Sequence, residues 1–217
     1  MEEKRNWMVV FPMRGTTLVA VLALMLGMVG QANAWEIFAD TTGPDSYTTP
    51  EFYGIQFLSG SPEQFVQSVT YDISVVGGAF FDFDGDASYG NQDEPVLGTL
   101  VGLTDADITF DLLDSYENNP LHVRELRFNF AVGSFGAGDS MRFAADTDFF
   151  VSDPTPGNAF GQAGAQISAT MFDGTFGSAT FAAVSSSRSE ATITPEPATL
   201  LMLGLGGLGL LRRRKSA

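Results

Sequence analysis

The densest acidic segment of the chain runs Asp82-Phe83-Asp84-Gly85-Asp86-Ala87-Ser88-Tyr89-Gly90-Asn91-Gln92-Asp93-Glu94. Its oxygens recur at every second residue. Asp82, Asp84, Asp86 and Ser88 take positions 1, 3, 5 and 7 of a loop that could wrap a hard cation, and Asp93 takes position 12. Calcium wants about six to eight such oxygens. The pattern departs from an EF-hand in three ways. Ala87 stands at position 6, where glycine belongs, and Gly85 comes too early. Position 12 is Asp rather than the longer Glu, and the flanks read as strands. A calcium-stabilised β-loop and a solvated acidic turn both fit.

A second acidic set, Asp111, Asp114 and Glu117, could supply the acid and base of a glycan hydrolase, which stand about 5–10 Å apart. With 26 acids in the chain, such spacings also arise by chance. Arg124, Arg127 and Arg142 are expected to pair with local acids. A nucleophilic triad would have to rest on His122, the single histidine, which opens an alternating strand and reads as structural. There is no cysteine. That excludes a Cys–His nucleophile, a thiolate zinc site and disulfide support. No catalytic site is predicted.

The elements that must position these residues have a period of two. Val69, Tyr71, Ile73 and Val75 alternate with polar residues; so do Ile108, Phe110 and Leu112, and Leu126, Phe128, Phe130 and Val132. Each pattern is a half-buried strand. Further strands are expected within 52–58, 79–83, 97–103, 141–150, 165–172 and 175–184. Turn signals separate them, among them Gly77-Gly78, Asn118-Asn119-Pro120 and a two-residue hairpin at Asp173-Gly174. About nine short strands predict an all-β fold, an antiparallel, jelly-roll-like β-sandwich with an aromatic core. Asp111 to Glu117 is expected as one short helix or an acidic loop, and 185–194, rich in Ser and Thr, as a linker.

Both ends read as addresses. Lys4, Arg5 and Arg14 precede an apolar run from Leu18 to Val29, and Ala32-Asn33-Ala34 is a small-x-small cleavage site. This order is that of a secretory signal peptide, so residues 1–34 are expected to be removed by signal peptidase, leaving Trp35 first. At the other end Pro195-Glu196-Pro197 precedes an apolar stretch from Ala198 to Leu211 and the basic cluster Arg212, Arg213, Arg214 and Lys215. As a helix that stretch spans roughly 21 Å at about 1.5 Å per residue, a marginal crossing of a bilayer core about 30 Å thick. The basic cluster would stay cytoplasmic.

Those last residues, 195–217, resemble the PEP-CTERM sorting signal of Gram-negative bacteria that make extracellular polysaccharide. The resemblance implies that an exosortase, a membrane cysteine protease, recognises Pro195, Glu196 and Pro197 and removes the helix. The protein would be anchored transiently in the inner membrane, then released or displayed at the cell surface.

Between the addresses lies the cargo, a sandwich over 35–184 and its linker. It keeps four arginines, no lysine and 23 of the acids, a net charge of −19 against −15 for the whole chain. Such a surface repels nucleic acid. The expectation is an exported, non-enzymatic surface or matrix protein. A calcium-dependent module for extracellular polysaccharide is the alternative, with a glycan hydrolase behind it.

Overall fold

Alternation between inward apolar and outward polar side chains puts more than half of the described chain into β-strands. The computed structural model describes residues 34–46, 49–84, 94–148 and 162–195. In chain order the strands are β1 (Glu36–Thr42), β2 (Tyr53–Ser59), β3 (Val66–Asp72), β4 (Phe80–Asp82), β5 (Val96–Val101), β6 (Ile108–Tyr116) and β7 (Asn119–Phe130). They continue as β8 (Ser140–Ala144), β9 (Asp146–Asp148), β10 (Gln166–Met171), β11 (Phe176–Thr180), β12 (Ala182–Ser185) and β13 (Arg188–Ile193). A single 3-10 turn, Asp105–Asp107, is the only helical element among the described residues.

The strands form two antiparallel sheets in a sandwich-like arrangement. The first has the order β12-β13-β1-β2-β8-β5. The second has the order β11-β10-β3-β7-β4-β9, with β6 also on β7. The long β7 organises this sheet. On one edge it pairs with β3 through Glu125–Asn129 and with β4 through His122 and Val123. Its other edge carries β6.

Three expectations are corrected. Asp111 to Glu117 forms neither a helix nor a loop: β6 continues through Tyr116 paired to β7, with its alternation broken at Leu113 and Asp114, the latter at φ 53°. The chain then reverses over Glu117 and Asn118, both in the left-handed region at φ 50° and 62°, as a tight hairpin requires. Most of the expected linker is β13, whose Ser189, Ala191 and Ile193 point inward. It pairs with β1 in register from Ile37↔Ile193 to Thr42↔Arg188, so the sandwich extends well past residue 184. The Asp173-Gly174 hairpin forms, but with a three-residue loop. Met171 N–H closes it onto the Thr175 carbonyl at 2.9 Å, and Gly174 takes φ 82°.

The core is aromatic. Phe143 of the first sheet lies 4.5 Å from the Phe128 ring and 5.5 Å from the Tyr71 ring, both of the second, and stacks on Tyr53 at 4.9 Å. Two buried phenols cross between the sheets in opposite directions. The Tyr71 hydroxyl donates to the Gly54 carbonyl at 3.0 Å, and the Tyr53 hydroxyl shares a hydrogen with Thr147 Oγ1 at 2.5 Å.

Burial pushes both phenol pKa values above the ordinary 10.0. A raised folded-state pKa leaves this stability intact below pH about 10, where the unfolded tyrosine is still neutral, and removes it as pH rises further. The β-sheet circular-dichroism signal is therefore expected to hold to pH about 10. Phenolate absorbance from Tyr53 and Tyr71 should appear only together with cooperative unfolding. Tyr71→Phe should lower stability by about 1 kcal/mol and remove one of these late-titrating phenols.

Candidate functional site

Strand register assembles the acidic cluster. Asp82 on β4 pairs with His122 on β7 and, across its other edge, with Asp146 on β9. Directly paired residues share a face, so these side chains stand on the outer face of the second sheet. The His122 Nε2 atom lies 3.1 Å from Asp84 Oδ2 and 3.4 Å from Asp82 Oδ1. One ligand atom from each of Asp82, Asp84 and His122 falls within 4.8 Å of the others. The histidine is 7% exposed, held against the Phe80 ring at 4.8 Å, and Phe80 in turn stacks on Tyr116 at 5.2 Å.

Burial raises the Asp82 pKa. The Asp84 amide, which donates to Asp82 Oδ1 at 3.0 Å, and the nearby imidazole pull it down in part, while the Asp84 carboxylate pushes it up again. The imidazole's proton decides what the cluster offers an ion. His122 Nδ1 is buried without a hydrogen-bond partner among the described residues. A proton on Nε2 serves the two carboxylates and leaves Nδ1 bare; a proton on Nδ1 would bury an unpaired N–H. A metal bound through Nε2 needs that second tautomer, which normally leans on an acceptor. With Nε2 protonated, the cluster presents carboxylate oxygens and His122 is the donor that orients them.

Asp82 and Asp84 are brought together as the spacing suggested. Asp86, Ser88 and Asp93 lie outside the described residues. His122 was read as structural on its own, yet its register with Asp82 makes it part of the cluster. Asp146 and Asp148, whose Asp-Thr-Asp repeats the alternation of Asp82-Phe83-Asp84, are buried on the neighbouring β9. Of the second acidic set, Asp111 accepts from Asn129 at 2.9 Å. Asp114 pairs with Arg124 at 2.8 Å, and Glu117 turns the hairpin. Arg142 pairs with the buried Asp40 at 3.1 Å, whereas Arg127 donates to Thr70.

The second feature is where the sandwich ends. Ile193, the last residue of β13, is fully buried, and Pro195 forms an isolated antiparallel bridge with Gly177 of β11. A family model described as the PEP-CTERM protein-sorting motif matches residues 194–215. The chain carries a PEP-CTERM sorting motif. No curated protein and no solved structure matches the chain. The PEP-CTERM motif implies export, membrane-associated sorting and processing by an exosortase. Glu196, Pro197 and the basic residues 212–215 lie outside the described residues, as does Ala32; Ala34 is described and exposed. Among the described residues no helix is long and apolar enough to cross a membrane, and the apolar run 198–211 is not among them.

A carboxylate with a raised pKa is held at a loss of stability above its ordinary value, and the loss vanishes when acid protonates it. Asp82→Asn is therefore expected to make the metal-free protein more stable at neutral pH, by a few tenths to about 1 kcal/mol. The difference should close below pH about 3 in denaturant unfolding curves.

Proposed function

We propose that this protein is an exported, non-enzymatic component of the cell surface or extracellular matrix. Its acidic β-sandwich is the cargo, and the PEP-CTERM tail is its route. The observation that supports this most strongly is the direct junction of a sorting motif to a folded sandwich, Ile193 to Pro195. The N-terminal segment, with Ala32 and Ala34 at its cleavage site, is read as the matching signal peptide. The apolar run 198–211 is read as a short transmembrane helix that anchors the chain until exosortase acts.

Cell fractionation with mass spectrometry of the termini tests this. The expected product begins at Trp35, lacks the apolar tail and is found at the surface or in the medium. Glu196→Ala should leave the protein unprocessed in the membrane fraction. Full-length protein confined to the cytosol would sink the proposal.

A second role, binding calcium for attachment to extracellular polysaccharide, has support from the Asp82–Asp84–His122 cluster. The carboxylates are already gathered, and a cation would relieve the repulsion between them. An Nε2 that keeps its proton for the two carboxylates is no zinc ligand, which favours calcium. Calorimetry on the processed protein should show calcium binding that weakens at least about tenfold in Asp84→Ala, with His122→Gln, which keeps a donor, much less affected. Absence of calcium heat, or zinc binding tighter than calcium, would count against it.

A further inference from the structure

The two junctions at which this chain is expected to be processed meet at β11 and the residue just before it. Trp35, the residue after the expected signal cleavage, is 2% exposed, and its indole Nε1–H donates to Thr175 Oγ1 at 3.0 Å, just before β11. Two residues on, Gly177 bridges Pro195, the first residue of the sorting motif. Gly177 is buried, and its missing side chain is what makes room. A Cβ there would run into the Thr194 carbonyl oxygen and would stand 2.8 Å from Trp35 Cη2. Its backbone dihedrals do not demand glycine; the close approach of Thr194 and Trp35 does.

No spacer separates the fold from the motif. Pro195 is two residues past the buried Ile193, at most about 7 Å of extended chain. A protease that takes an extended substrate needs its backbone free and its flank clear. Here Pro195 is already paired to β11 and the Thr194 carbonyl lies against Gly177, with the body of the sandwich beside them.

We infer that Gly177 and Trp35 latch the start of the sorting motif to β11, so that exosortase processing proceeds from a minor state in which Thr194–Pro195 has detached. This rests on the exosortase reading above. It makes Gly177 a positioning residue for the sorting reaction, acting through the tail. It also ties the two cleavages together: Trp35 can fill its place beside Gly177 only as the sandwich closes over the N-terminal end of β1.

The experiment is a pulse-chase of the full chain in a host that has the exosortase, following loss of the tail. Gly177→Ala forces Thr194 away from β11. A six-residue Gly/Ser spacer between Thr194 and Pro195 frees the motif without touching the sandwich. Each is expected to speed processing about two- to tenfold, the population gain from releasing one or two backbone hydrogen bonds. Combining them should give no more than the spacer alone, because both act on one step. Trp35 is the only tryptophan once residues 1–34 are gone. Its emission should shift to the red in Gly177→Ala. Processing that requires Glu196 but is unchanged or slowed by the spacer would overturn the latch and leave the sorting route standing. Processing indifferent to Glu196→Ala would overturn both.

Discussion

Everything in this sandwich depends on how two sheets meet without a disulfide. Phe143 projects from the first sheet between Phe128 and Tyr71 of the second, and Tyr53 lies along its face. Aromatic rings give large buried area per residue, and their edge and face preferences fix how the layers register. The two phenols add direction. Each hydroxyl must find a partner once buried, and each finds it on the opposite sheet, Tyr71 at Gly54 and Tyr53 at Thr147. A slip of one sheet over the other would break both bonds and leave buried hydroxyls unsatisfied. Specificity of packing thus comes from polar atoms inside an apolar layer.

This core sets where charge can go. Alternation sends the acids to the outer faces, where most remain solvated. Two places hold charge closer. On the first sheet Asp40, 7% exposed, meets Arg142 at 3.1 Å above Gly54. A Cβ at Gly54 would collide with both side chains, at 2.6 Å from Arg142 Nη1, so the glycine lets the pair lie flat on the sheet. On the second sheet Asp82, Asp84 and His122 gather with no lysine or arginine paired to the carboxylates among the described residues. The contrast separates a finished ion pair from an acidic site. Asp40 has its guanidinium, whereas Asp82 has an imidazole nitrogen at 3.4 Å and a carboxylate neighbour that raises its pKa.

The fold class was legible because the strands that face aromatic partners carry large apolar residues at every second position. Val69-Tyr71-Ile73 and Leu126-Phe128-Phe130 announce themselves. β1 and β13, which give a weak pattern, each point one isoleucine inward, Ile37 and Ile193, and otherwise pack small residues: Ala39, Thr41, Ser189 and Ala191. Opposite bulky rings, small residues fill the space correctly, but they give no hydrophobic signal, and Ser/Thr content made β13 look like a linker. The end of β6 was misjudged for a related reason. Asp114 and Glu117 suggested a loop, although an exposed strand at the edge of a sheet readily carries acids outward. Of the acidic site, Asp82 and Asp84 were visible as a local pattern. His122 was not, because only the pairing of β4 with β7 brings it there, a relation across 40 residues that no local spacing encodes.

The placement of β1 and β13 constrains the order of events during export. They are the first and last strands of the cargo, yet they pair with each other in the middle of the first sheet, Ile37 opposite Ile193. Contacts so distant in sequence close late, because the loop between them must be ordered before they are rewarded. The sheet therefore cannot complete until residue 193 is available to pair with Ile37, and on the proposed export route the next residues to emerge are the sorting motif and its apolar run. If exosortase acts on this motif as proposed, closure of the sandwich and presentation of the motif compete for Pro195, which β11 already holds through Gly177. A chain with a long linker would separate these events. This one places them on adjacent residues, and the small, buried Gly177 is the point where that competition is set.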